Sequence, residues 1–212
     1  MTVASLQFLT CPQRQETFTQ TLARLARTDW GAWPRIHIDD TREEGASTWG
    51  TSARAPRLTY AFAAMLREAL AEKGRDEEWL LLLEDDLDFH PKIAAHVAAW
   101  GALKDPRSVM ASLFNPSLQA IEYPDTPAQA FAANPKTFLG AQALLLRRGA
   151  VRRAVAEWDQ LSGMQSQRLA KLFGQEGPIW VHKPSLVQHV AVDSSWGVRI
   201  QRALDFNPAW EP

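Results

Sequence analysis

The chain has 212 residues, 46% of them hydrophobic and 22% charged, enough for one sizeable core and short for two full domains. Twenty-three basic residues against 24 acidic ones leave a net charge of −1, which excludes a whole-protein field steering it to nucleic acid or an acidic membrane. Cys11 is the only cysteine, which excludes an internal disulfide and a zinc knuckle.

In chain order, Ala4 to Leu9 reads as a short buried strand ended by Thr10-Cys11-Pro12. Phe18, Leu22, Leu25 and Ala26 recur at helical spacing and predict an amphipathic helix over about Glu16 to Arg27. A second strand, Arg35 to Ile38, ends in Asp39-Asp40, and the polar stretch from Thr41 to Ala55 reads as a loop. Pro56 suits the first turn of a helix whose apolar face carries Leu58, Phe62, Met65, Leu66, Ala69 and Leu70, with Gly74 ending it. Trp79 to Leu83 is short, wholly apolar and bounded by charge, as a fully buried central strand is. Pro91 opens another helix with Ile93, Val97 and Trp100 inward.

The second half is less regular. Val109 to Phe114 and Ala141 to Leu146 predict strands on either side of the proline-rich stretch from Asn115 to Pro135. Val151, Ala154, Val155 and Trp158 mark a helix, and Leu169, Leu172 and Phe173 a shorter one. Pro184 to Val190 reads as a strand or a tight loop before a tryptophan-bearing tail. Alternating strands and helices predict an α/β fold with a mostly parallel central sheet and helices on both faces. We expect one domain over 1–212, with a first half to about 105 and a second half from about 106. The opening Met1 to Leu6 has no charged lead and no long apolar run, and no stretch is long enough to span a bilayer, so a cytoplasmic protein is expected.

Ligands of such sheets lie beyond the carboxyl ends of the strands. Polar residues follow three of the predicted strands: Thr10 to Arg14, Asp39-Asp40, and Glu84-Asp85-Asp86-Leu87-Asp88. The last packs four carboxylates into five residues, an arrangement that needs a cation, donors or water to offset the repulsion. Hard divalent cations take such oxygen ligands, often shared with substrate phosphates. A solvated acidic turn before the helix at Pro91 is the plain alternative. An EF-hand starting at Asp86 fails, because Pro91 and Val97 stand where glycine and glutamate are required.

An apolar strand running into Glu84-Asp85-Asp86 resembles the DxD-type metal motif of GT-A glycosyltransferases, N-acetylglucosaminyltransferase-like enzymes in particular. The glycine-led strand from Gly140 to Arg148 is similar to the segment that lies near the donor sugar in such enzymes. Pro184 to Val190, followed by Ser194-Ser195, resembles their late segment whose histidine approaches the metal or diphosphate, although Ala191 stands where glycine is expected. The resemblance implies a hexosyl- or N-acetylhexosaminyltransferase using Mn2+ (or Mg2+) and a nucleotide-sugar donor, with uridine diphosphate (UDP) as carrier. It makes Asp86 and His189 the metal ligands. Thr10, Arg14, Asp39, Asp40, Arg57, Glu84, Asp85, Gly140 and Gln142 would bind the donor. Asp159 leads as catalytic base and Glu176 follows.

Each assignment has a plainer reading: Asp39-Asp40 as a turn, Arg57 as a surface charge, His189 as core packing. Asp86-Leu87-Asp88 also resembles the nucleophile loop of haloacid-dehalogenase-like phosphatases, with His90 at odds with that pattern. A third possibility is a nucleotide-sugar binder without turnover. The acceptor (glycan, lipid, protein or modified nucleic-acid base) and the oligomeric state are not legible. Trp30, Trp33, Trp49, Trp196 and Trp210 in predicted loops offer stacking faces. The Arg147, Arg148, Arg152 and Arg153 cluster reads as a solvated helix face or as a contact for an anionic acceptor.

Overall fold

The computed structural model describes residues 3–40, 51–116, 130–190 and 201–212. Nine strands are described: β1 (Val3–Thr10), β2 (Arg35–Ile38), β3 (Trp79–Leu83), β4 (Leu87–Phe89), β5 (Met110–Ser112), β6 (Ala130–Ala133), β7 (Ala143–Arg147), β8 (Ile179–His182) and β9 (Val187–His189). The α-helices are α1 (Gln15–Leu25), α2 (Thr51–Ala71), α3 (Ile93–Ala99), α4 (Arg148–Glu157) and α5 (Gln165–Phe173). Seven strands form one sheet in the order β2-β1-β3-β7-β5-β8-β6. β1 runs parallel to β2 and β3, and β5 parallel to β8. β7 is antiparallel to β3 and β5, and β6 to β8. Five strands therefore point one way, with β7 and β6 against them.

Alternation along the strands splits the core into two layers. Leu80 and Leu82 of β3, with Leu144 and Leu146 of β7, meet Phe62, Met65, Leu66 and Ala69 of α2, Val151 of α4 and Leu169 of α5. Trp79, Leu81 and Leu83, with Ala143 and Leu145, meet Phe18 and Leu25 of α1 and Ile93 and Val97 of α3. Every residue of β3 is at most 1% exposed, because apolar layers cover both of its faces. That explains a strand with no polar alternation.

After Leu83 one more sheet bond forms, from the Glu84 N–H to the Gln142 carbonyl (3.1 Å). The chain then turns and leaves the sheet. β4 pairs antiparallel with β9 as a separate ribbon, Leu87 opposite His189 and Phe89 opposite Val187. Leu87, Phe89, Leu186 and Val187 bury the ribbon's inner face in the second core layer.

The structure departs from the sequence reading in particular places. α2 begins at Thr51, so Thr51 to Ala55 is helix rather than loop, and Pro56 is its sixth residue rather than part of its first turn. Only one intrahelical bond, to the Ser52 carbonyl, is forgone there, because proline lacks an N–H. β4, β6 and β8 were not expected from sequence, and the helix at Pro91 starts at Ile93. Most of the predicted loop from Thr41 and most of the proline-rich stretch lie outside the described residues.

Candidate functional site

The carboxyl ends of β1 and β3 converge on the acidic cluster. Thr10, the last residue of β1, donates its hydroxyl to Asp85 Oδ2 at 2.7 Å. Pro12–Arg14 forms a 3-10 turn that carries the Arg14 side chain back over the cluster. Its Nε donates to Asp85 Oδ1 at 2.7 Å, and its Nη2 donates to Asp86 Oδ2. Asp85 and Asp86 are buried, at 6% and 5% exposure, so these ion pairs act with little water between the charges.

The ribbon supplies the other side. Opposite Leu87, His189 sets Nε2 2.9 Å from Asp86 Oδ2 and Nδ1 3.0 Å from the Gln201 carbonyl. Both neighbours are oxygen atoms that can accept, an arrangement that favours the protonated ring while no cation is bound. The Val190 N–H to the Asp86 carbonyl (3.0 Å) fixes the register.

Electrostatics follow from this packing. Glu84 keeps some exposure, yet burial and then the Asp86 charge push its carboxyl up to about 8. Burial also raises Asp85, against the pull of Arg14 and Thr10. For Asp86, burial is outweighed by the His189 hydrogen bond and charge and by Arg14, which hold it below the usual range. His189 moves up in turn: burial would lower it, but its bond to Asp86 and the charges of Asp86 and Glu84 prevail.

A cation fits these residues. One ligand atom each from Glu84, Asp86 and His189 lies within 4.8 Å of the others. Asp86 Oδ1 is buried with no hydrogen-bond partner, an orphan that a cation would satisfy. The sequence reading assigned Glu84 to the donor, whereas the geometry groups it with Asp86 and His189.

Sequence reasoning missed Thr21. Its side chain, fully buried on α1, donates to the Asp85 carbonyl (2.8 Å) and accepts from the Leu87 N–H (3.0 Å), pinning the turn that presents both aspartates. The one signal was a hydroxyl within the apolar Phe18–Leu25 stripe.

No family model and no curated protein sequence matches the chain. Among solved structures it is similar to a glycosyltransferase involved in glycosylation of the major capsid of PBCV-1. That match has a TM-score of 0.51, 14% identity, and covers 90% of this chain and 94% of that one. It is also similar to the glycosyltransferase GlyE of Streptococcus pneumoniae, with a TM-score of 0.52 and 10% identity over 97% of this chain and 59% of that one. The fold is GT-A. Within the GT-A fold the acidic cluster lies beyond the carboxyl end of the central strand β3, beside the start of β7.

The remaining predicted residues fall at different distances from the cluster. Gly140, with φ +97°, is followed by Gln142, whose buried Oε1 has no partner and whose carbonyl holds the Glu84 N–H. A Cβ on Gly140 would come 3.1 Å from that Oε1 and 3.3 Å from the Phe114 ring. Asp39 donates its N–H to the Thr10 carbonyl (2.8 Å), so the carboxyl end of β2 adjoins that of β1, and Asp40 is exposed. Arg57 lies in α2, with its side chain outside what is described. Asp159 is exposed on a 3-10 turn after α4. Glu176 precedes β8, at the amino edge of the parallel strands, and pairs with Arg153. No hydrogen bond or ion pair among the described residues links either to the cluster.

The arginine cluster is largely engaged in the fold. Arg147 donates to the carbonyls of Ser108 and Asp105 and lies over the Trp79 ring. Arg148 donates to the carbonyls of Ala69 in α2 and of Glu72 just beyond it, closing that helix end. Arg152 pairs with Asp76, and Arg153 with Glu157 and Glu176. Of the loop tryptophans, Trp33 is 90% exposed, Trp30 and Trp210 pack on the core, and Trp49 and Trp196 lie outside the described residues. No helix among the described residues is long and apolar enough to cross a membrane.

Proposed function

We propose that this chain is a metal-dependent glycosyltransferase that moves a sugar from a nucleoside diphosphate sugar, a UDP-sugar, to an acceptor hydroxyl. The observation that carries the reading is the convergence of Glu84, Asp86 and His189 at the carboxyl edge of a GT-A sheet, with a buried orphan oxygen on Asp86. These three residues would hold Mn2+ (or Mg2+), the imidazole favouring manganese over an all-oxygen preference. A cation there supplies charge stabilisation to a diphosphate leaving group. Thr10 and Arg14 fix Asp85, leaving it to face the donor, and Asp39 or Asp40 reads the base. Gly140 admits the donor sugar where a Cβ would crowd it, and Gln142 offers an acceptor oxygen to its hydroxyls. Residues 1–105 supply most of the donor side, and residues 106–212 the acceptor side together with His189.

Asp159 is the proposed base, ahead of Glu176, whose place at the amino edge of the sheet and pairing with Arg153 count against it. Their exposed positions also favour a second reading, a nucleotide-sugar binder without turnover. The phosphatase reading has less support, since Asp88 Oδ1 accepts from its own neighbour's N–H, Phe89, within β4 (2.9 Å).

The test is thermal shift with UDP, with and without Mn2+. Ligand at a hundred times its Kd stabilises a folded protein by about 2.7 kcal/mol. We expect that gain with both ligands present, and its loss in Asp86→Asn, whose ligand-free melting temperature falls because Arg14 and His189 lose their carboxylate partner. Undiminished stabilisation of a folded Asp86→Asn protein would refute the assignment. Slow release of UDP from UDP-sugars without acceptor would separate the enzyme from the binder.

A further inference from the structure

The acidic cluster carries its own counter-cation. Arg14 bridges two carboxylates from one edge of its guanidinium, Nε to Asp85 and Nη2 to Asp86. The Asp86 oxygen it meets, Oδ2, is the one His189 also meets, so two nitrogen groups share one oxygen while Oδ1 is left without a partner. The Arg14 side chain is 22% exposed and rides on a three-residue turn, not on the sheet.

We propose that Arg14 is an internal placeholder for the divalent cation, which makes cation and diphosphate bind cooperatively. The inference rests on the metal reading above and adds a coupling to it. A cation on Glu84, Asp86 and His189 would take the partnerless Asp86 Oδ1 and so compete with Arg14 for the charge of one carboxylate, repelling the guanidinium across it. A cation alone therefore binds against Arg14. A diphosphate alone meets the carboxylates of the cluster. When both are present, the guanidinium turns from Asp86 to the phosphate oxygens, which suit its forked donors. Each ligand thus relieves a cost that the other faces alone, which is a coupling free energy between two sites.

The experiment measures Mn2+ binding to the full-length protein from the paramagnetic resonance of free Mn2+, with and without UDP. It uses the unmodified protein, Arg14→Met and Arg14→Lys. UDP should tighten Mn2+ binding to the unmodified protein about tenfold or more. Arg14→Met should bind Mn2+ alone about tenfold tighter than the unmodified protein and show a smaller UDP effect, with Arg14→Lys between them. Equal Mn2+ affinity in Arg14→Met, or an unchanged UDP effect, overturns the inference and leaves the metal reading standing. If no protein binds Mn2+ in either condition, the metal reading falls and the inference with it. Should Arg14→Met not fold, the Arg14 Nε–H resonance of the unmodified protein decides. It should move when Mg2+ and UDP are added together, and a signal unmoved by both overturns the inference.

Discussion

Thr21 shows how one hydroxyl sets the geometry of a site it does not enter. It satisfies the Asp85 carbonyl and the Leu87 N–H, the two backbone groups on either side of Asp86. Thr21→Val keeps the shape and strips both bonds. Stranding buried backbone groups costs about 1 to 3 kcal/mol. Urea denaturation should show a loss in that range, and Mn2+ binding should weaken although no proposed ligand is altered. Full Mn2+ affinity in the destabilised variant would mean the turn holds without Thr21. At this scale the sequence was informative wherever charge was dense. Four carboxylates in five residues drew the eye to Asp86, and His189 was named through a resemblance. Thr21 was not, because its partners are backbone groups that no side-chain pattern announces.

Among the elements, the ribbon of β4 and β9 matters most, since it carries His189 from late in the chain to Asp86. It was only half legible. Pro184 to Val190 read as a strand or loop, but β4 is three residues long and its Asp88 was absorbed into the acidic motif. β3 was legible to its exact ends, because a two-sided apolar environment writes an uninterrupted run bounded by charge. α2 was misread at its start, where a proline five places in looked like a first turn. The ribbon is tied outward by Gln188, whose amide accepts from the Ala203 N–H and donates to the Ala203 carbonyl, both at 2.9 Å. That pair anchors the segment whose Gln201 carbonyl orients His189. Gln188→Leu should speed hydrogen exchange at the Ala203 amide and weaken Mn2+ binding, with Asp86 untouched. Exchange at the unmodified rate would show that the segment is held without this pair, by ties such as that of Ser185 to Asp205.

For the molecule as a whole, the packing around Trp210 predicts an acid limit to stability. His182, at the end of β8, is fully buried; its ring centroid is 4.9 Å from Trp100 and 5.7 Å from Trp210. Its Nδ1–H donates to the Pro184 carbonyl at 2.6 Å, and its Nε2 is buried without a partner. Burial lowers its pKa to about 4, the Pro184 bond opposing and the nearby His96 and His90 adding to the fall. His96, against Trp210 and His90, is lowered in the same sense, first by burial. A histidine held neutral in the folded state is protonated first in the unfolded chain. The unfolded state then binds more protons, so stability declines as pH falls. For His182 the window opens at the ordinary 6.5 and closes near 4. A shift of that size corresponds to about 3 kcal/mol. The contribution is intact above pH 6.5 and lost through acidification, opposite to a histidine stabilised by a carboxylate partner. Urea denaturation between pH 7 and 4, on the unmodified protein and on His182→Gln, isolates this term from carboxylates that titrate in both. The unmodified protein should lose more stability across that interval than the variant. A His182 imidazole resonance titrating between pH 6 and 7 in the folded protein would rule the account out.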